Sequence, residues 1–112
     1  MSEVSDDLEV VITRLGSGVH VSVSGEVDVA SSTVLRTALS TGLEGSSGDV
    51  DVDMSRITFC DSVGLCALLA ARLDLQSRGR AMRLVNPAPC VIRLLEVTAT
   101  SELFSTTSGG AR

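Results

Sequence analysis

Thr58-Phe59-Cys60-Asp61-Ser62-Val63-Gly64-Leu65-Cys66-Ala67 is the stretch in which this chain passes from strand to helix. Just upstream, residues 49–54 alternate, with Val50, Val52 and Met54 on one side. A period of two is the mark of a strand whose faces differ. Downstream, Leu65, Leu68, Leu69 and Leu73 recur at helical spacing, so Ser62 is expected at a helix N-terminus. Either Ser62 or Asp61 can accept a hydrogen bond from the backbone N–H groups that a first helical turn leaves unpaired.

Working outward, two strand candidates at 8–15 and 19–24 flank Gly16-Ser17-Gly18 and read as an antiparallel hairpin. After Asp28, Val34, Leu35, Ala38, Leu39 and Leu43 form one apolar stripe. Ser31 or Ser32 is available as its cap, and Gly42, Gly45 and Gly48 close the element. The strand at 49–54, a helix at 62–78, a short strand at 81–85 and a helix at 89–97 complete a strand–helix alternation. Such crossovers join parallel neighbours with right-handed connections. The expected fold class is therefore α/β, a mixed four- to five-stranded sheet packed with about three to four α-helices. The ordered domain is expected at 8–104, with flexible ends at 1–7 and 105–112. Asp49, Asp51 and Asp53 interrupt what would be a continuous apolar run in a fully buried parallel strand, which implies that one sheet face is partly open or polar.

At 112 residues the chain is one domain, large enough to bury roughly 65% of its unfolded surface. Hydrophobic residues at 44% supply the core, and aromatic content of 2%, without Trp or Tyr, means that Val, Leu and Ala build it. A net charge of −5 and the scarcity of stacking side chains disfavour nucleic acid as a partner. Residues 1–9 are acidic, no Lys or Arg precedes Arg14, and no apolar run approaches a membrane span. Neither a secretory signal nor a membrane partner is expected, and the cytoplasm is the simple location. Cys60, Cys66 and Cys90 form neither an even framework nor a Cys-x-x-Cys pair, and read best as small hydrophobes. His20, the single histidine, alternates with Val19 and Val21 and reads as a solvent-facing strand residue. No metal or cofactor is expected. The absence of a Gly-x-Ser-x-Gly elbow argues against a serine hydrolase.

Phe59-Cys60-Asp61-Ser62-Val63-Gly64-Leu65 resembles the phosphoacceptor motif of bacterial anti-sigma factor antagonists, which are single STAS domains. Gly25-Glu26-Val27-Asp28, with a helix opening at 30–33, is similar to the Gly-Glu-hydrophobic-Asp signature of that family. Asn86-Pro87-Ala88-Pro89, followed by 91–97 and Glu102-Leu103-Phe104, resembles its C-terminal helical segment. The resemblance covers roughly residues 8–104. It departs at Val63, where the family usually has Ser or Thr, and at Cys66, which replaces a glycine.

The resemblance implies a protein that is not an enzyme. It would bind a serine-kinase anti-sigma factor when unphosphorylated and so release a sigma factor, and a serine phosphatase would reverse its phosphorylation. Ser62 would be the phosphoacceptor, and Asp28, Asp61, Ser62, Val63, Gly64 and Leu65 the partner-binding residues of a cytoplasmic monomer acting in transcription and stress responses. A phosphate adds about −1.5 to −2 charges at neutral pH and would meet free N–H groups and a favourable dipole worth roughly 0.3–1 kcal/mol, so the fold is expected to tolerate it. A partner penalty of about 3 kcal/mol would weaken binding roughly a hundredfold. Asp28 could instead serve loop formation, and Asp61 could simply cap the helix. Two other readings remain: an unphosphorylated STAS accessory subunit of a transporter, or a scaffold in a stress-signalling assembly.

Overall fold

The computed structural model describes residues 2–4 and 7–107. Strand β1 (Ser2–Val4) pairs antiparallel with β2 (Leu8–Leu15), which turns through Gly16 into β3 (Gly18–Val27). Helix α1 (Ser32–Gly42) crosses to β4 (Val50–Cys60), α2 (Ser62–Ser77) crosses to β5 (Met82–Val85), and α3 (Pro89–Val97) leads to β6 (Ser105–Thr107). Strands β3, β4, β5 and β6 are mutually parallel neighbours, and the sheet order is β1-β2-β3-β4-β5-β6.

Strands β2 to β5 form the body of the mixed sheet, within the expected four to five, and three α-helices pack with it. Beyond the expected limits of 8 and 104, β1 and β6 extend both edges by three residues each. An edge strand needs only a neighbour's free backbone groups, so it leaves little trace in the side-chain pattern. Residues 1, 5, 6 and 108–112, the remainder of the expected flexible ends apart from Asp7, lie outside the described residues.

A row of side chains crosses the sheet in register, Ile12 beside Val21, Val21 beside Val52 and Val52 beside Leu84, all buried. Leu35, Ala38 and Leu39 of α1, Leu65, Leu68 and Leu75 of α2, and Val91 and Leu95 of α3 join the same core. Full burial of each Val or Leu contributes about 1.5–3 kcal/mol. The opposite face carries the neighbouring row, Thr13, His20, Asp51 and Arg83. These side chains are half-buried or exposed, and Arg83 Nε donates to Asp51 Oδ1 at 2.7 Å. Asp51 therefore stands in a parallel strand because only one face of the sheet is covered.

Strand β4 runs to Cys60, six residues past the end expected from its alternation. The pairing of β3 with β4 slips twice, between Ser22 and Ser24 and between Gly25 and Glu26. Those slips break the period of two that would have revealed the extension. Gly25, at φ +109, lets the Asp7 carbonyl approach where a side chain would stand, and that carbonyl accepts the Glu26 N–H at 2.8 Å. The first glycine of Gly25-Glu26-Val27-Asp28 thus serves both backbone conformation and close approach.

Candidate partner-binding and phosphoacceptor site

Parallel β3 and β4 end side by side. Val27 pairs with Cys60, and the Asp61 N–H donates to the Val27 carbonyl at 3.1 Å. The residues that follow the two strands, Asp28 and Asp61, are thereby held at one edge of the sheet. This is the carboxyl end of a parallel pair, where open α/β sheets commonly build their sites.

Asp61 has extended backbone angles, φ −112 and ψ −178, and its Oδ1 accepts the N–H groups of Val63 at 3.0 Å and Gly64 at 3.1 Å. Its carbonyl accepts the Leu65 N–H at 3.1 Å. Asp61 is therefore the N-cap of α2, and Ser62 is the first helical residue, exposed and relieved of capping. Among the described residues no protein group hydrogen-bonds the Ser62 hydroxyl. This arrangement corrects one expectation. Two N–H groups that a phosphate would have found free are already taken by the Asp61 carboxylate, so a phosphate on Ser62 would stand beside a negative charge and project outward.

Asp28 is held by Ser31. Its Oδ1 accepts the Ser31 N–H at 2.9 Å, and its own N–H donates to Ser31 Oγ at 2.9 Å. The Ser31 hydroxyl donates to the Glu26 carbonyl at 2.7 Å, with Asp28 Oδ1 3.1 Å away. The Ser31 backbone N–H, followed by its hydroxyl, keeps the Asp28 carboxyl below its ordinary value of 3.8. Ser31 stands at the cap position of α1 but makes no side-chain capping bond, because its oxygen is spent on this loop. The loop role weighed for Asp28 is thus visible directly, with the carboxylate half-buried beside the end of β3.

The remaining expected site residues divide by depth. Val63 is half-buried, whereas Gly64 and Leu65 are buried, Leu65 with 4% of its surface exposed. A Cβ on Gly64 would collide with Val27 Cγ1, so this glycine lets α2 sit tightly on the end of β3. Leu65 belongs to the core and offers no side chain to a partner, which corrects its place among the contact residues; it can shape the surface only from beneath.

The apolar spacing of α2 also proves two-sided. Leu65, Leu68 and Leu75 are buried, while Leu73 is 60% exposed. Ser62, Cys66, Ala70 and Leu73 recur on the outward side, and no charged residue occurs from Ser62 to Ala71. Phe59, 47% exposed, and Val29 add apolar surface at the ends of β4 and β3. Their exposure left no signal in the sequence beyond Phe59 being one of two aromatic residues. Cys60 lies just before the cap. Burial, with smaller effects from Cys90 and Asp61, pushes its thiol up to about 11. Cys66, one turn after Ser62, is exposed.

Among the described residues no cluster of His, Cys, Asp or Glu is arranged to hold a metal, and no helix is long and apolar enough to cross a membrane. Residues 10–105 match the family model described as Mlab, STAS domain. The chain is 24% identical over 98 residues to the anti-sigma-B factor antagonist of Bacillus subtilis (strain 168), a match spanning 88% of this chain and 89% of that protein. An anti-sigma factor antagonist from Mycobacterium paratuberculosis has a similar structure, with a TM-score of 0.79 at 24% identity over 94% of this chain and 89% of that one. The Bacillus cell fate determinant SpoIIAA in its phosphorylated form gives a TM-score of 0.68 at 19% identity over 87% and 89%. The family match takes in both segments that meet at the Asp28–Asp61 edge, and this chain belongs to the STAS-domain family.

Proposed function

We propose that this protein is an anti-sigma factor antagonist which, unphosphorylated, binds a serine-kinase anti-sigma factor and frees its sigma factor, and that phosphorylation of Ser62 ends the interaction. The observation that carries the reading is the placement of Ser62, exposed on the first turn of α2 because Asp61 has taken the capping role. The outward face of α2 that begins at Ser62 carries no charge as far as Ala71, which suits a contact surface. Sequence likeness to the anti-sigma-B factor antagonist of Bacillus subtilis supports the same reading.

In the phosphoryl transfer, Ser62 Oγ would attack the γ-phosphorus of ATP, leaving phosphoserine and ADP. No base within the described chain holds the hydroxyl, so the group that accepts its proton belongs to the kinase. Hydrolysis by a serine phosphatase would return the free serine and inorganic phosphate. The chain is then a substrate and a binding protein, working as a monomer in the cytoplasm without a cofactor. The new charge lies next to Asp61 and outside the core, so the partner reads the modification and the fold does not refold around it.

Intact-mass analysis after incubation with ATP and serine-kinase anti-sigma factors from the same genome tests this. One added phosphate, absent in Ser62→Ala, and removal of that phosphate by a serine phosphatase are expected. Ser62→Asp should bind the kinase about a hundredfold more weakly, corresponding to roughly 3 kcal/mol. Binding by Ser62→Asp at full strength would sink the switch.

A further inference from the structure

Helices α1 and α2 do not close on each other along their whole length. Leu39 of α1 and Leu43, just past its end, line a cleft of about 310 Å³ together with Ala67, Ala70, Ala71 and Leu75 of α2; Leu39, Ala67 and Leu75 are almost wholly buried, so Leu43, Ala70 and Ala71 carry its apolar surface. The cleft exists because α2 presents alanine where a longer side chain would meet α1. Its volume is at the lower end of the roughly 300–1,000 Å³ typical of small-molecule sites. A partner helix, about 10 Å across, is too wide for it.

The polar wall is biased toward positive charge. Arg36, Arg78 and Arg80 line it together with Glu44 and Asp74, and Asp74 is already met by Arg78 at 3.5 Å. That is three of the nine cations of a chain whose net charge is −5. Arg80 is the unusual member, with only 9% of its surface exposed. Its Nε donates to the Gly48 carbonyl at 2.6 Å and its Nη2 to Ser46 Oγ at 2.8 Å, which fixes the plane of the guanidinium. Nη1 has no protein partner among the described residues. A nearly buried guanidinium held rigid with donors to spare is suited to an anionic oxygen.

We propose that this cleft binds a small amphipathic anion, its apolar chain lying on Leu43, Ala70 and Ala71 and its carboxylate or phosphate head against the arginines. The proposal does not depend on the reading of Ser62. Along α2 the lining of the cleft begins at Ala67, about 7.5 Å from Ser62 at 1.5 Å per residue, and runs away from Ser62 past Asp74.

The test is a titration of the full chain, followed through its backbone amide NMR signals, with octanoate, octyl phosphate and neutral octanol, each kept below its aggregation limit. Saturable shifts centred on Leu43, Ala70 and Ala71 are expected for at least one of the two anions, with octanol bound at least about tenfold more weakly, or roughly 1.4 kcal/mol. Whichever anion binds more tightly identifies the head group. Ala70→Leu, an exposed change at the mouth of the cleft, should reduce anion affinity about tenfold, and Arg36→Gln should reduce it severalfold. Arg80 is left intact because it ties two loops together. Absence of saturable shifts at millimolar ligand, shifts centred elsewhere, equal binding of octanol, or an unchanged affinity in Ala70→Leu would each overturn the proposal.

Discussion

Asp61 decides how available Ser62 is. Its carboxylate satisfies two N–H groups of the first turn, so Asp61→Ala leaves both without their partner. A lost N-cap costs about 1 kcal/mol, which in a domain of this size lowers the melting temperature by about 4 °C. Thermal unfolding of Asp61→Ala beside Asp61→Asn checks this, with the asparagine expected to retain most of the stability. Cys60 gives a second expectation. Burial holds its thiol at about 11 against an ordinary 9.0, so exposed Cys66 should react with iodoacetamide well before Cys60 at pH 8, as peptide mapping would show. Because the folded value is raised, the neutral thiol's contribution is fully present below pH 9 and is lost as pH rises from 9 toward 11, where the unfolded chain ionises first. For Asp28 the sign is opposite. Its depressed value means that the Ser31 contact holds above pH 3.8 and loosens as pH falls below it, which the Ser31 amide signal would report.

Helix α2 meets two demands on its two sides. Inward, Gly64 allows it to approach Val27 closely, and Gly64→Ala should cost about 1–3 kcal/mol in urea unfolding by overpacking. Since the Val27 carbonyl also accepts the Asp61 N–H, the same change should slow the phosphorylation proposed for Ser62. Outward, Leu73 is exposed and supports nothing in the core. Leu73→Asp should leave stability within about 0.5 kcal/mol, the usual range for surface changes. If the proposed partner covers this face, the same variant should weaken the complex at least about tenfold in calorimetry, whereas Leu15→Asp, on the β2–β3 hairpin, should not. Equal binding by both variants would remove the outer face of α2 from the interface.

Across the whole molecule, charge follows the one-sided covering of the sheet. The open face holds Asp51 and Arg83 as an ion pair with both side chains well exposed, 37% and 45%. Water already solvates these groups, so Asp51→Asn should cost less than about 1 kcal/mol by urea denaturation, despite the 2.7 Å separation. A loss several times larger would mean that the face is covered. The edge that holds Ser62 is different in kind. Glu26, Asp28 and Asp61 sit at the ends of β3 and β4, so a phosphate there would deepen an existing negative region on a chain that already carries −5.

Local pattern in the chain was enough for the hairpin, the helix stripes and the position of Ser62 at a helix start, since period and capping chemistry act over a few residues. The meeting of Gly25-Glu26-Val27-Asp28 with Asp61-Ser62 was legible only as two matching motifs. Their proximity depends on the parallel register of β3 and β4, a contact between residues more than thirty positions apart. For the same reason the sequence left open whether Ser62 or Asp61 caps α2, and the shared spacing of Leu65 and Leu73 did not tell the buried one from the exposed one. Helical spacing shows that two residues share a face but not which face the sheet will cover. That was settled by packing: the sheet buries one side of α2, the Gly64–Val27 contact sets how it seats, and what remains outside is the surface on which Ser62 lies.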